Sequence, residues 1–257
     1  EATLPILNIL LDHSLIRHHA GRYRLHELLR QIGAEHLQKS QGAPDVHMRM
    51  AAFYAQFTQA RSYIFTDEIA HESEQTATLA QIDLEVDNLR AVLDWQISHG
   101  KVSDLMPFIE TIWAYFQRKG WYSEAVTWLA RIAERVEKEG CAQEDALVPE
   151  DFTLWRVWLA QRIGIANYEM GFTAQSLAHF RQALTWLGYA LPQNDRGWGG
   201  AALRQMAQQL WHRLRRVIPT QVHQHHALAQ RLADEAATGF YYLARIYFLS
   251  NTPLPSL

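Results

Sequence analysis

A histidine stands where a strand pattern changes into a helix pattern. Residues 22–25 alternate polar and apolar side chains, which is the period of a strand, and Leu28, Leu29 and Ile32 then recur with the period of a helix. His26 lies at the joint between the two. Because histidine gains and loses a proton near neutral pH, this is the first position at which to look for chemistry. The simplest interpretation is that His26 caps the helix or packs beneath the strands.

Other candidate ligands and nucleophiles are isolated. His223, His225 and His226 form a group, but zinc requires three or four convergent donors with supporting partners. No further Cys or His lies at helical spacing beside them, so we expect a solvated helix start and no metal site. Cys141 lies in a polar segment between repeats with no histidine near it in the sequence, which argues against a nucleophile.

No phosphate-binding loop is present. Residues 99–102 lack both the first glycine and the Ser or Thr of the G-x-x-x-x-G-K-[ST] pattern, and H-E-x-x-H, G-x-S-x-G and G-x-G-x-x-G are absent too. Between Asp67 and Asp87 there are seven acidic residues and no Lys or Arg. This run indicates a solvated face, because a catalytic carboxylate pair needs an apolar pocket that raises one pKa. We expect that the chain is not an enzyme and holds no cofactor of its own.

The composition is typical of packed helices in a reducing compartment. The chain has 257 residues, 48% of them hydrophobic, and a net charge of −3, so it has no global attraction to nucleic acid or anionic membrane. A single cysteine excludes a framework of internal disulfides. No apolar run approaches the roughly 20 residues that span a bilayer. The first residues resemble no signal peptide and include no Met, so we expect a cytoplasmic location and a fragment of a longer protein.

The pattern of elements is mainly helical, with one hairpin. Two short strands around Gly21 predict a β-hairpin near residues 15–25, followed by a helix that ends before Pro44. Residues 45–100 indicate helices with two apolar stripes. The first stripe comprises Met48, Ala52, Phe53, Phe57 and Ala60, and the second comprises Leu79, Ile82, Val86, Leu89, Leu93 and Trp95.

Two segments in the second half align with each other. In residues 113–132 and 164–183, Gly120 aligns with Gly171, seven residues after the start of each segment. The other aligned pairs are Ala125 with Ser176, Leu129 with Phe180, and Ile132 with Ala183. A third copy, in which Ala244 aligns with Gly164, breaks off at Leu257, and insertions at residues 137–150 and about 189–219 make the period irregular. The pattern predicts a helical-repeat solenoid.

Three segments follow one another along the chain: LLDHSLIRHHAGRYRLHELLRQIGAEHL, LEVDNLRAVLDW and the repeats. The repeats resemble degenerate tetratricopeptide (TPR) repeats. The whole resembles the C-terminal part of a STAND signalling ATPase, one of the NB-ARC-like regulators related to apoptotic and plant resistance ATPases. This resemblance implies a partial winged-helix domain at 1–42, a helical linker region at 43–104, and TPR-like repeats at 105–257, the last of them truncated.

The same resemblance implies a role for His26. Leu25, His26 and Glu27 fall where the family has its MHD motif, whose histidine reaches the β-phosphate of bound ADP, and Glu27 replaces the usual aspartate. His26 would therefore sense nucleotide only in the full-length parent, where ATP or ADP and a nucleotide-binding domain are expected. The implied function is a non-catalytic sensor that relays ligand binding through the winged helix to that switch.

The ligand is expected in the TPR groove and is a protein, a peptide or a small molecule. The groove is lined by outward positions on the first helix of each repeat. By the alignment these are Glu110, Ala114, Gln117, Arg118, Trp158, Gln161, Tyr168, Glu169, Tyr241 and Arg245. Aromatic and arginine side chains carry much of the energy at such surfaces. The truncation at Leu257 exposes an apolar flank that a second copy would cover, giving a homodimer.

Two other functions remain open. The repeats would otherwise be a structural scaffold without a ligand of their own. Alternatively, the winged helix belongs to a DNA-binding transcription regulator, with a cationic wing on the phosphates. The wing residues are Arg17, His18, His19, Arg22 and Arg24. The helix before the wing offers only Asn8 to read bases, which disfavours this alternative.

A basic amphipathic helix is predicted within residues 196–216, which hold five arginines and no acid. Such a helix can bind a membrane surface or nucleic acid. We expect it instead to pack its apolar stripe against the neighbouring repeats, with the arginines in water. No membrane partner is expected, and a nucleic-acid partner is disfavoured.

Overall fold

The structure, a computed structural model, describes residues 4–19, 21–62, 72–142, 149–189 and 226–249. In these ranges the chain forms nine helices and one antiparallel pair of strands. The helices are α1 (Leu4–Asp12), α2 (Glu27–Lys39), α3 (Ala43–Gln59), α4 (Glu72–His99), α5 (Val102–Lys119), α6 (Tyr122–Ala142), α7 (Pro149–Glu169), α8 (Thr173–Trp186) and α9 (His226–Leu249), and the strands are β1 (Ile16–His19) and β2 (Arg22–Leu25). The predicted mainly α fold with one short hairpin is confirmed.

The chain divides into two compact units, residues 1–56 and 57–257, and each is described by itself. None of the described helices is both long enough and apolar enough to span a membrane. The three-segment division expected at residues 42 and 104 stays a prediction.

The hairpin of the first unit begins after α1 and is closed by a left-handed glycine. Gly21 has φ +75°, which the tight turn between β1 and β2 requires. The register pairs Ile16 with Leu25, Arg17 with Arg24, His18 with Tyr23 and His19 with Arg22. Ile16 is buried, whereas its partner Leu25 is exposed.

Helix α3 buries a different face from the one that the sequence predicted. Met48 and Phe53 are exposed, and the buried side chains are Ala51, Tyr54 and Thr58. Both sets recur at spacings of three to five residues, so the periodicity alone fits two faces of this helix. The stripe predicted for α3 is therefore wrong: Tyr54 and Thr58 face inward, whereas the more apolar Met48 and Phe53 face outward.

Helix α4 buries half of the predicted stripe and is held at its end by an arginine. Of the six stripe residues, Ile82, Leu89 and Leu93 are buried, whereas Leu79, Val86 and Trp95 are half-buried. At its C-terminus, Arg135 of α6 donates hydrogen bonds of 3.2 Å to the carbonyl oxygens of residues 97, 98 and 100. A helix leaves its last carbonyls without intrahelical partners, and the guanidinium satisfies them. This contact joins α4 to α6.

Helices α5 and α6, and likewise α7 and α8, are joined at the two aligned glycines. Gly120 has φ +70° and Gly171 has φ +83°. In both turns the following amide donates back to a carbonyl five residues earlier: Trp121 N to Phe116 O at 3.0 Å, and Phe172 N to Asn167 O at 2.8 Å. This is the hydrogen bond of a Schellman-type helix end, which favours glycine. The two aligned segments thus place equivalent turns at equivalent positions.

The aligned small and apolar residues of the second helices also take equivalent positions. Ala125 and Ser176 are buried, as are the pairs Leu129 with Phe180 and Ile132 with Ala183. In the described part of the expected insertion at residues 137–150, α6 continues to Ala142 and α7 begins at Pro149. The backbone at residue 141 is helical, at the end of α6.

Two glycines permit the close approach of helices in the second unit. A Cβ atom on Gly164 of α7 would lie 3.1 Å from the Phe180 ring of α8. A Cβ atom on Gly239 of α9 would lie 3.1 Å from Leu184 and 3.3 Å from Gln161. The alignment had placed the third small residue at Ala244, but Ala244 is exposed. Gly239 is the residue of α9 that packs closely.

Replacing Gly164 with leucine is expected to lower the free energy of unfolding by about 1–3 kcal/mol, because the added side chain overpacks a close helix contact. Ala178→Leu on the exposed face of α8 is the matched control and should change stability by less than about 0.5 kcal/mol. Chemical denaturation followed by tryptophan fluorescence measures both. Equal losses in the two variants would contradict a close approach at Gly164.

Candidate functional site

The predicted groove residues of α5 point in different directions. Glu110 accepts a hydrogen bond from Arg231 of α9 at 2.7 Å, and the Arg231 guanidinium lies 5.6 Å from the Trp155 ring of α7. Arg118 donates to Gln75 of α4 at 2.9 Å. Gln117 is exposed and Ala114 is half-buried. Of these residues, Glu110 contacts the helix that carries Tyr241 and Arg245.

Two predicted groove residues of α7 are buried and do not face outward. Trp158 is 4% exposed and Gln161 is 0% exposed. The Gln161 side-chain amide donates to the backbone carbonyl of Glu235 at 2.5 Å, and the Arg162 guanidinium lies 5.0 Å from the Trp158 ring. The outward assignment of Trp158 and Gln161 is corrected: α9 packs against this face of α7, so both side chains belong to a helix–helix interface.

Four other predicted residues are brought together. We define the tyrosine–arginine cluster as Tyr168 and Glu169 of α7 with Tyr241, Tyr242 and Arg245 of α9. The Arg245 guanidinium lies 4.9 Å from the Tyr168 ring centroid. Tyr168 and Tyr242 meet edge to face at 5.5 Å, and Tyr241 and Tyr242 meet at 5.2 Å. Side chains of α7 and α9 therefore form one surface.

The cluster is anchored in the core through Tyr242, which the sequence prediction missed. The Tyr242 ring stacks on the fully buried Phe180 at a centroid distance of 5.0 Å. Burial and the negative charge of Glu169 raise the pKa of Tyr242. The same two causes raise the pKa of Tyr122, at the start of α6. Both phenols therefore stay protonated at neutral pH and can donate hydrogen bonds.

The outer part of the cluster is accessible. Tyr241 is 58% exposed, and Glu169 and Arg245 are exposed as well. Tyrosine and arginine are the residue types that are enriched where proteins bind partners, because both bring apolar area together with a polar group. The arrangement can present flat aromatic surface, one cation and one carboxylate to a ligand. It contains no nucleophile that is paired with a base.

His26 caps helix α2. Its Nδ1 accepts a hydrogen bond from the Leu28 amide at 3.4 Å, so the imidazole proton of this tautomer is on Nε2. The Glu27 carboxylate accepts hydrogen bonds from Nε and Nη2 of Arg30, at 2.8 and 2.7 Å, and from the Gln31 side-chain amide at 3.1 Å. Chiefly through the Arg30 hydrogen bonds, these contacts lower the pKa of Glu27 to about 2. The observed geometry of His26 is that of a helix cap, as the simplest interpretation of the sequence predicted. The Nε2–H group takes no part in this cap and can donate a hydrogen bond to another group.

An apolar stripe lies beside His26 in the first unit. Leu25, Leu28 and Ile32 are each more than half exposed. On α1, Leu4 and Ile9 are also more than half exposed. Exposed apolar side chains that lie together on one helix face can mark a surface that contacts another domain.

The Asp87–Arg90 segment, one of the three that carry the family resemblance, joins α4 to α6. Arg90 donates to the two Glu124 oxygens at 2.6 and 2.8 Å and to Asp87 at 2.9 Å. The Arg90 guanidinium also lies 5.2 Å from the Trp121 ring. The acidic run was expected to be solvated, yet Asp83 accepts from Tyr115 at 2.5 Å and from Lys119 at 2.7 Å. Part of that run therefore forms helix–helix contacts.

Acidification is expected to weaken the α4–α6 contact. The Arg90 hydrogen bonds lower the pKa of Glu124, so this carboxylate stabilises the fold fully above its unfolded pKa of about 4.3 and loses that effect as pH falls through the lower folded value. We expect the difference in unfolding free energy between the parent chain and Glu124→Gln to shrink from pH 6 toward about pH 3. A difference that stays constant over this range would contradict the assignment.

Three other groups that the sequence suggested as possible functional residues have side chains that the structure does not describe. These are the histidines at 223, 225 and 226, the side chain of Cys141 and the basic segment 196–216. Within the residues that the structure describes, no three His, Cys, Asp or Glu side chains gather in a way that could hold a metal ion.

The chain is similar to known regulators over part of its length. Three proteins, each named "Putative HTH-type transcriptional regulator", one from Mycobacterium bovis and two from strains of Mycobacterium tuberculosis, are 25% identical to it over 137 residues. The match covers 52% of this chain and 15% of each relative. No family model and no solved structure matches the sequence. Over about half its length, the chain thus resembles a small part of much longer transcriptional regulators.

Proposed function

We propose that this chain is the non-catalytic sensor and interaction module of a STAND-type signalling ATPase that regulates transcription. The repeat-like helices bind a protein, peptide or small-molecule ligand. The first unit passes this event to a nucleotide-binding domain in the full-length protein, where ATP or ADP is bound. The likeness to mycobacterial regulators supports the regulatory role, and the absence of a phosphate loop from this sequence supports a module without catalysis.

The observation that carries the proposal is the tyrosine–arginine cluster. Four of the residues chosen from the repeat alignment, Tyr168, Glu169, Tyr241 and Arg245, meet on one accessible surface although they are as far as 77 positions apart in sequence. Tyrosine and arginine are enriched at binding surfaces, so their meeting on an accessible surface favours a ligand-binding role over a purely structural scaffold.

Photo-crosslinking tests the ligand role directly. The full-length protein carries a photoreactive phenylalanine at position 241 or, as a matched control, at Ala178, which is exposed on α8. We expect a defined adduct in cells from position 241 and none from position 178. Adducts that are absent or identical at the two positions would contradict a ligand-binding role for the cluster.

The first unit has the features of a surface that meets another domain. His26 is exposed, with its Nε2–H available to donate to an anion such as a phosphate, and the apolar stripe beside it lacks a cover within its own element. The Nε2–H group of His26 could supply one hydrogen-bond donor to a nucleotide phosphate, and the apolar stripe could contact the domain that holds the nucleotide. The remainder of a nucleotide site is not found in this sequence.

In the full-length protein, His26→Ala is expected to weaken ADP retention and to raise basal output several-fold, because the resting state loses one charge-assisted hydrogen bond. The measurements are the rate of labelled-ADP release and reporter activity without stimulus. His26→Asn keeps the helix cap and serves as the control for helix stability. Unchanged release and unchanged output in His26→Ala would count against the role in nucleotide sensing.

A further inference from the structure

The tyrosine–arginine cluster carries one acid and one base that do not pair with each other. Arg245 lies 4.9 Å from the Tyr168 ring centroid, and Glu169 follows Tyr168 directly on α7, so both charges stand beside one ring. Both charged side chains are exposed. Among the residues that the structure describes, neither Glu169 nor Arg245 forms a hydrogen bond or an ion pair. Their hydrogen-bonding groups therefore remain for water or for a ligand.

The two charges are nevertheless close enough to influence each other. The neighbouring tyrosines, Tyr168 first, and the Glu169 carboxylate raise the pKa of Arg245. Elsewhere in the second unit an accessible arginine beside an acid forms a direct pair, as Arg131 does with Asp94 at 2.7 Å. The Glu169–Arg245 arrangement differs from such a pair, because two opposite charges are adjacent and each is still able to bind a further group.

This arrangement of charges limits the class of ligand. A purely anionic ligand on Arg245 meets the negative charge of Glu169, and a purely cationic ligand on Glu169 meets the positive charge of Arg245. An uncharged ligand would take both groups out of water without giving either a charged partner, which is costly. A ligand that carries both charges satisfies the two groups through charge-assisted hydrogen bonds.

The closeness of the two charges favours a small zwitterion over a polypeptide. Both charges stand beside the Tyr168 ring, so a ligand that reaches both needs its own charges only a few bonds apart. An α-amino acid has its ammonium and carboxylate groups on the same carbon atom. In a polypeptide, neighbouring opposite charges lie on separate long side chains, and ordering these side chains on binding costs entropy.

The tyrosine rings indicate which side chain the ligand carries. Tyr241 is 58% exposed and meets Tyr242 edge to face, with an angle of 85° between the rings. Tyr168 and Tyr242 are half-buried and form the aromatic surface beneath the charges. Small-molecule sites combine an aromatic lining with a few convergent polar groups, and an aromatic ligand gains from contact with aromatic rings beyond the area that it buries.

We propose that the tyrosine–arginine cluster binds a free α-amino acid with an aromatic side chain. Arg245 donates hydrogen bonds to the carboxylate of the ligand, Glu169 accepts from its ammonium group, and the aromatic ring of the ligand packs against Tyr241. This inference rests on the proposed ligand-binding role of the cluster and names the class of its ligand.

Four probes separate the contributions of the two charges and the ring. L-tryptophan has all three, tryptamine lacks the carboxylate, indole-3-propionate lacks the ammonium group, and L-alanine lacks the ring. An NMR titration of the 257-residue chain that observes the ligand signals measures each Kd. We expect saturable binding of L-tryptophan with a Kd on the order of 0.5 mM, as for a ligand of this size at ordinary efficiency. Each of the other probes should bind about tenfold more weakly, because it lacks one of the contacts.

Variants of the chain connect each charge of the ligand to its partner. Arg245→Gln should weaken the binding of L-tryptophan and of indole-3-propionate about tenfold, without weakening that of tryptamine. Glu169→Gln should weaken the binding of L-tryptophan and of tryptamine, without weakening that of indole-3-propionate. Glu134→Gln is the matched control, because Glu134 is an exposed acid of α6 without an ion pair among the described residues. Its effect on every Kd should stay within about twofold.

Three results would overturn this inference. They are no saturable binding of L-tryptophan up to about 10 mM, equal affinities for L-tryptophan and its two singly charged analogues, and a loss of the same size for every probe in Arg245→Gln or Glu169→Gln. A specific adduct at position 241 would still support the ligand-binding role of the cluster in each of these cases. Adducts that are identical at positions 241 and 178 would remove that role whatever the probes do, so the two failures can be told apart.

Discussion

Replacing Glu235 with alanine is expected to lower the free energy of unfolding of the second unit by about 3–5 kcal/mol, the cost of breaking one partner out of a buried ion pair. Arg162 of α7 donates to both Glu235 oxygens, at 2.9 and 3.1 Å, and the two side chains are only 17% and 11% exposed. Without the carboxylate, the guanidinium is left buried against Trp158 with no anion. The helix that carries Tyr241 and Arg245 would then be held less firmly to α7.

Two control variants distinguish the cost of leaving the Arg162 charge buried without its partner from the cost of losing an ion-pair contact. Arg162→Met with Glu235→Leu removes both charges and should recover most of the stability, because an apolar pair of similar volume avoids the desolvation cost. Glu110→Ala removes an exposed partner of Arg231 and should cost about 0–1 kcal/mol. Urea denaturation followed by tryptophan fluorescence measures all three. A double variant that is as unstable as Glu235→Ala would contradict the explanation.

The same interface contains a polar atom that is not satisfied within the described residues. Gln161 donates from its amide nitrogen to the Glu235 backbone, but its buried Oε1 accepts no hydrogen bond there. Buried polar atoms are nearly always paired in folded proteins, and an unpaired one carries a cost. At the α7–α9 contact this cost is set against the Arg162–Glu235 ion pair and the ring contacts between Tyr168 and Tyr242.

Local features of the fold could be predicted because single residues decide them. Gly21, Gly120 and Gly171 take positive φ values that other residues rarely adopt, so each turn could be read from the sequence. The helix after His26 follows the apolar period, and it ends close to the predicted residue. The apolar spacing of α4 indicated part of its inward face, since Ile82, Leu89 and Leu93 are buried.

The packing of distant helices against one another could not be predicted from the sequence, as α7 illustrates. Apolar residues surround this helix, so its periodicity does not select a face, and its inner side is chosen by where α9 packs. Trp158 and Gln161 were therefore placed in the groove although they are buried. Glu235 gave no signal at all, because an acidic residue in a helix is expected in water unless its partner, here Arg162, is known. The candidate site was predictable only for the residues that no other helix covers, such as Glu169, Tyr241 and Arg245, which are exposed.

Replacing Arg245 or Tyr241 with alanine is expected to weaken the affinity for the ligand captured at position 241 by about thirtyfold, which corresponds to about 2 kcal/mol at a central contact residue. Both side chains are exposed, so their removal takes away ligand contacts and little of the core. Arg245 is held over the Tyr168 ring, which limits its freedom before binding and lowers the entropy cost of ordering it. Isothermal titration calorimetry with the purified ligand measures the change.

Arg131→Ala is the matched control for this prediction. Arg131 of α6 also lies over an aromatic ring, 5.1 Å from Trp128, and pairs with Asp94 at 2.7 Å, so its environment resembles that of Arg245. Its loss should leave the affinity unchanged within about twofold, since no residue of the tyrosine–arginine cluster is among these contacts. An equal effect of Arg131→Ala would show that the arginines act through stability. An unchanged affinity in both Arg245→Ala and Tyr241→Ala would show that the ligand is bound by some other surface, since a contact residue in the centre of a site cannot be removed without cost.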